Sequence, residues 1–271
     1  NIISYGISEE YIKQCLYRPF DIMWTYYTDK VRGFLAYPVY KVLHNMLYPN
    51  IGLIVSRQGQ ASDLSNWNVV FCTDSIVDLN IFRRGGGCLF PLYLYSYEFG
   101  EMRKQPNIDS FIISKFAKGL GIEYKQERQG HANFTPEDFW DYIYAILHSK
   151  EYRNKYKDFL NLEFPRIPYE TDLDVFWKLV SCGEELKSIH VMKTKCFEFT
   201  TTELTKGTNF VEKICHSDES VYINKSQRFT NISSELWNFQ IGGYQPLEKY
   251  LKDRKGTTLD EDIIKQYISI T

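Results

Sequence analysis

Thr135-Pro136-Glu137-Asp138 divides this chain in two and so limits the folds open to it. Threonine suits the cap position before a helix, proline fits the first helical turn, and two acids complement the positive end of the helix dipole. The pattern predicts a helix to about His148 with Phe139, Tyr142, Ile143, Ile146 and Leu147 on one face. Upstream, apolar and aromatic runs broken by Gly, Pro, Asn and Ser predict strands over 22–27, 51–57, 67–73 and 89–95. A helical spacing over 9–16 ends at Pro19, which cannot donate within a helix. Downstream, helices are predicted over 151–160 and 173–190, around a Phe-Pro-Arg-Ile-Pro linker at 164–168. Strands over 196–202, 211–215 and 221–224 and helices over 246–255 and 259–267 complete the reading. The expectation is an α+β fold of mixed, mostly antiparallel sheet regions with a helical layer and C-terminal helices. One domain over 1–271 is expected, either as one body or as two lobes, 1–135 mostly β and 136–271 the remainder.

No apolar run approaches the roughly 18 residues a membrane helix needs, and there is no signal-peptide pattern. The six cysteines contain no CxxC pair, so they read as reduced, mostly buried thiols of a cytoplasmic protein rather than a zinc site. Net charge is −2, but it is unevenly spread: residues 136–220 carry 11 cations against 16 acids, and 221–256 carry 6 against 3. The chain begins at Asn1, which suggests a piece of a longer polypeptide.

Several chemistries lack their motifs. There is no GxxxxGK[ST] phosphate loop, HExxH pair or GxSxG elbow, and none of His44, His131, His148, His190 and His216 has a catalytic partner in sequence. Gly85-Gly86-Gly87 after Arg83-Arg84 could approach a phosphate, yet it leads into an apolar strand, so a turn is the simpler reading. Asp109 with Glu123-Tyr124-Lys125 loosely matches a metal-dependent nuclease pattern, in which two carboxylates hold the cation.

Three segments set cationic and amide side chains beside turns. Arg57 and Gln58 follow a strand, Lys225-Ser226-Gln227-Arg228 follows another, and Lys249, Lys252, Arg254 and Lys255 crowd the end of a predicted helix. Arginine and glutamine can read guanine and adenine edges, whereas lysines grip phosphates without reading sequence. Arg57, Gln58, Gln227 and Arg228 are therefore the base-reading candidates. The phosphate candidates are Arg83, Arg84, Lys225, Lys249, Lys252, Arg254 and Lys255. A polar loop or a favourable helix-end charge accounts equally for these residue types.

The ordered segments YRPFD (17–21), IGLIVSRQ (51–58), FCTDSIVDLN (71–80), GGGCLFPLYLY (85–95), FWDYIYAILHSKEYR (139–153), FPRIP (164–168), VYINKSQRF (221–229) and WNFQIGGYQPLEKYLKDRKGTTL (237–259) span nearly the whole chain. Together they resemble the C-terminal specificity domain of type ISP restriction-modification enzymes and related N6-adenine DNA methyltransferases. The resemblance implies a non-catalytic domain that recognises double-stranded DNA beside a methyltransferase on the same polypeptide. It places S-adenosylmethionine, ATP and Mg²⁺ chemistry in the parent enzyme, with no cofactor in this part. The motifs read as scaffold, leaving 59–66, 98–133 and 193–209 as candidate reading loops. Two alternatives stay open: a coupling module that docks the methyltransferase without reading DNA, and the Asp109–Glu123–Lys125 nuclease.

Overall fold

The computed structural model describes residues 6, 8–28, 35, 39–56, 67–193 and 201–271. It is a mixed fold of small, mostly antiparallel sheets with a helical layer, as expected. Strands β1 (Ile12–Arg18) and β2 (Asp21–Tyr26) form a hairpin, and β5 (Ile76–Val77) joins β1 in parallel. After the short helix α1 (Tyr40–Leu43), β3 (Gly52–Val55) lies antiparallel between β4 (Val70–Thr73) and β6 (Cys88–Pro91). A second hairpin, β7 (Tyr93–Glu98) and β8 (Glu101–Pro106), turns at Phe99 and Gly100, both at positive φ.

The helix expected over 9–16 is corrected: only a single 3-10 turn, Glu9–Tyr11, precedes β1. Pairing decides the matter, because β1 is the central strand of its sheet and buries Cys15 and Leu16. Tertiary packing of this kind overrides weak local helical spacing. The strand expected over 89–95 is two, broken at Leu92, whose N–H crosses to the Ile51 carbonyl.

Helix α2 (Ser110–Leu120) is capped by Asp109 and closed by Gly121 at φ 72°, a left-handed position that favours glycine. Two short strands, β9 (Glu123–Tyr124) and β10 (Asn133–Phe134), pair in parallel before α3 (Pro136–His148). The start of α3 is as the sequence predicts: Thr135 accepts from the Asp138 N–H, and the Asp138 carboxylate accepts from the Thr135 N–H at 2.9 Å. Short helices α4 (Lys150–Lys155) and α5 (Lys157–Leu160) follow, then the long α6 (Leu173–His190). Trp140, Tyr144 and Leu147 of α3 pack into the sheet core, while Phe139 and Tyr142 pack against α2 and α6. The hydrophobic core therefore runs continuously through residue 135.

Beyond residue 200 the chain builds a separate apolar cluster. Here β11 (Cys215–Ser217), β12 (Ser220–Tyr222) and β13 (Arg228–Phe229) form a small antiparallel sheet, followed by α7 (Ser234–Asn238), α8 (Pro246–Lys252) and α9 (Glu261–Ile270). Of the strands expected over 196–202 and 211–215, residues 196–200 lie outside the described residues, 201 and 202 are irregular, and pairing in the second begins only at Cys215. Among the described residues no helix is long and apolar enough to cross a membrane. Of the described thiols only Cys15 and Cys72 are buried, which narrows the expectation of mostly buried cysteines.

The segment 237–259 joins the two cores. Gly242, at φ 55°, donates to the Asn68 carbonyl and accepts from the Arg83 N–H at 2.7 Å. A Cβ on Gly242 would lie 2.0 Å from the Phe82 ring, so the double glycine is a backbone docking site.

Candidate nucleic-acid interface

The basic cluster at the end of α8 is largely neutralised from within. Lys249 pairs with Asp253, and Lys252 pairs with Glu248 at 2.9 Å. Arg254 is corrected from a phosphate candidate to a structural bridge. It is 8% exposed and donates through both terminal nitrogens to Asp21 at 2.8 and 3.0 Å. Its guanidinium also lies 3.5 Å from the centroid of the Tyr250 ring. Burial, the largest single influence, opposes that positive charge, but the hydrogen bond and negative charge of Asp21, together with smaller contributions from Tyr250 and Asp253, outweigh it and raise the Arg254 pKa. Lys255 remains exposed. Arg83 and Arg84 are exposed beside a turn whose residues Arg84, Gly85 and Gly86 all have positive φ. That turn leads into β6, not into a helix N-terminus.

Cations that form no ion pair among the described residues gather elsewhere. Residues 204–210 run alongside β13: the Thr205 N–H donates to the Arg228 carbonyl and the Arg228 N–H to Thr205 Oγ1, both at 3.0 Å. Together, 204–210 and 222–229 contain Lys206, Lys225 and Arg228 and no acid. Lys206 and Lys225 are exposed, and among the described residues neither forms an ion pair. Arg228 is half-buried, its guanidinium 5.5 Å from the Tyr222 ring centroid. Thr208 and Ser226 add exposed hydroxyls to this double loop. Lys206 escaped the residue-level reading, although 205–209 (TKGTN) has the same polar and basic character as 224–228 (NKSQR).

Gln227 is corrected as a base-reading candidate. Its side chain is fully buried, with Nε2 donating to Thr205 O at 2.8 Å and Asn209 Oδ1 at 2.7 Å, and Oε1 accepting from the Asn209 N–H at 2.8 Å. The amide is saturated inside the protein and cannot pair with a base edge. Arg57, Gln58 and the loop 59–66 lie outside the described residues, as do 194–200 of the loop 193–209.

The nuclease pattern does not assemble. Asp109 caps α2, accepting from the N–H groups of Phe111 and Ile112, and Glu123 lies beyond the other end of that helix. At 1.5 Å per residue the 11-residue helix holds them about 16 Å apart, too far to share a cation. Lys125 pairs with Glu123 at 2.8 Å. Among the described residues no group of three or more metal-ligating side chains occurs.

The histidines are structural as well. His44 bonds two carbonyls, His131 stacks on Trp177, and His216 bonds the Ile232 carbonyl while stacking on Trp237. The Tyr144 hydroxyl is hydrogen-bonded with His190 Nδ1, and His148 lies beside both residues and Arg153. Burial, reinforced by Arg153, pushes His148 down to about 2 and His190 down to about 4. Below pH ~6.5 the unfolded chain takes up these protons while the folded protein does not, so acid destabilises the fold. Burial pushes Asp141 the opposite way, up to about 7 despite Lys187 at 2.7 Å, and that group stabilises the fold as pH falls. Comparing the protein with its His148→Gln/His190→Gln variant isolates the histidines. Between pH 7 and 5 the unmodified protein should lose about 2 kcal/mol more per histidine in urea unfolding. Equal losses in both proteins would refute neutral burial.

A cavity of about 390 Å³ opens between β6 and α2, lined by Leu53, Phe90, Ile112, Phe116, Ile143 and Tyr169 among others. It is mostly apolar, and Phe90, Ile112 and Tyr169 of its lining remain exposed.

The family model for the Type ISP C-terminal specificity domain matches residues 2–271. The DrdV–DNA complex solved by electron cryomicroscopy aligns with a TM-score of 0.71 at 20% identity, covering 98% of this chain and 27% of that one. The ATP-dependent Type ISP restriction-modification enzyme LlaBIII bound to DNA gives 0.70 at 21% identity, covering 98% and 18%. A nuclease-deletion mutant of the Type ISP enzyme LlaGI in complex with a DNA substrate mimic gives 0.65 at 20%, covering 97% and 20%. No curated protein matches. The chain thus spans about a fifth to a quarter of the length of these enzymes, and at such identities the likeness establishes the fold. The match of the family model over residues 2–271, together with this shared fold, establishes that the chain belongs to the Type ISP C-terminal specificity domain family.

Proposed function

We propose that this domain grips double-stranded DNA and selects the site at which an N6-adenine methyltransferase and a nuclease/translocase, carried elsewhere on the same polypeptide, act. S-adenosylmethionine, ATP and Mg²⁺ belong to those other parts in this reading. The carrying observation is the double loop: Lys206, Lys225 and Arg228 stand together without a carboxylate in either strand of the loop, while Lys249, Lys252 and Arg254 of the cluster at the end of α8 are each paired with an acid. Lysines placed this way neutralise phosphates and fix the register of the protein on the duplex. Half-buried Arg228 carries the remaining base-reading assignment, alongside Arg57 and Gln58.

Each phosphate contact contributes about −0.9 to the slope of log affinity against log salt. A Lys206→Ala/Lys225→Ala variant should therefore bind duplex DNA with a slope shallower by about 2, measured by titration over a salt series. Wild-type slope and affinity in that variant would remove the double loop from the interface.

A second reading, in which the domain couples neighbouring parts of the polypeptide, is favoured by the apolar cavity with its exposed aromatic rim. The same variant separates the two. Coupling alone leaves the salt slope intact.

A further inference from the structure

Lys206 and Lys225 each sit on a three-residue arch, and both arches close on Gln227. The first, 206–208, has its feet at Thr205 and Asn209, and the Gln227 side-chain amide binds both feet through Thr205 O and the Asn209 N–H at 2.8 Å each. The second, 224–226, is closed by the Gln227 backbone. The Ile223 N–H donates to Gln227 O at 3.0 Å, and the Gln227 N–H donates to Asn224 Oδ1 at 2.8 Å. Gly207, in the middle of the first arch, lies directly over the amide: a Cβ there would meet Gln227 Cδ and Oε1 at 2.6 Å. Asn209 turns the chain out of that arch at φ 58°.

Burial alone does not call for glutamine here, since a methionine fills a similar volume. What the amide adds is direction. Two donors and one acceptor fix the separation of the arch feet, and a saturated buried amide has one arrangement in which all its bonds are made. We infer that Gln227 is a positioning residue for DNA binding, holding the two arches in one register so that Lys206 and Lys225 engage the backbone as a unit. The inference rests on the reading of the double loop as a DNA grip.

Gln227→Met removes the amide and keeps the volume, and Gly207→Ala crowds the same junction from the other side. Each is combined with Lys206→Ala, and binding to a duplex of random sequence is titrated over a salt series in the full-length polypeptide. If Gln227 positions the arches, both single variants lower the magnitude of the salt slope by about one contact although no lysine has been removed. Lys206→Ala then has little further effect in either background. Stability loss alone would not shift the slope of the folded population, which circular dichroism monitors. Wild-type slopes in Gln227→Met and Gly207→Ala, with Lys206→Ala retaining its full effect in both, would overturn the inference. If Gln227→Met does not fold, Gly207→Ala decides the question by itself. Should the Lys206→Ala/Lys225→Ala variant bind with unaltered slope, the reading of the face fails first and the positioning role falls with it. Should that variant weaken binding while Gln227→Met and Gly207→Ala do not, the face stands and only the positioning role is lost.

Discussion

Arg254→Met should destabilise the protein by about 3–5 kcal/mol, because it leaves Asp21 buried without its cation. The Asp21 residue is 1% exposed and accepts both terminal nitrogens of Arg254. These bonds join the C-terminal cluster to β2, so the loss is felt where the two cores meet. Desolvating both ions offsets much of the attraction between them, so the pair itself contributes only modestly to net stability. Removing one partner is different, since the remaining carboxylate then bears the whole desolvation penalty. Exchanging both residues for well-packed apolar ones should recover much of the loss. Lys255→Ala supplies the contrast. That side chain is exposed in the same basic run, and its removal should change stability by no more than about 0.5 kcal/mol. Urea midpoints of the three variants test the argument. An Arg254→Met protein within about 1 kcal/mol of the unmodified one would show that the bridge is unimportant.

Much of the fold was legible because it rests on local signals. The capping box at Thr135, the span of α6 and the proline start of α8 depend on residues close in sequence, and the structure has them where the pattern puts them. The helix expected over 9–16 failed for the opposite reason, since its conformation is set by strands β2 and β5, the latter about 60 residues away. Charge was harder still to read. The run 249–255 looks strongly basic in one dimension, yet Asp253 and Glu248 neutralise two of its lysines locally and Asp21 takes its arginine from across the molecule. Conversely, the double loop is assembled from segments about 20 residues apart, and only the fold shows that their cations add. The motifs that carried the family resemblance turn out to bind one another. Arg18 and Asp21 of YRPFD pair with Asp78 and Arg254 of two other motifs, which fits a scaffold role.

Gly183→Ala is the substitution for which local propensity and packing give opposite signs. In the interior of an exposed helix, alanine would stabilise by about 1 kcal/mol over glycine. Gly183 is instead buried in the middle of α6, on the face with Phe176 and Val180, where α6 crosses α3. A Cβ at that position would lie 1.9 Å from the carbonyl oxygen of Asp141 and 2.6 Å from its carbonyl carbon. Both are main-chain atoms of α3, so no side-chain rotation relieves the clash. The helices must move apart. Separation would loosen the Asp141–Lys187 ion pair one turn further along and the Tyr144–His190 hydrogen bond on the same pair of helices. Overpacking of a close-packed interior typically costs about 1–3 kcal/mol, and a backbone clash belongs at the upper end or beyond it. The net expectation is a loss of at least about 2 kcal/mol in urea unfolding. A Gly183→Ala protein as stable as the original would mean that α3 and α6 can separate freely, which is incompatible with a core that continues from the sheets through α3 into α6.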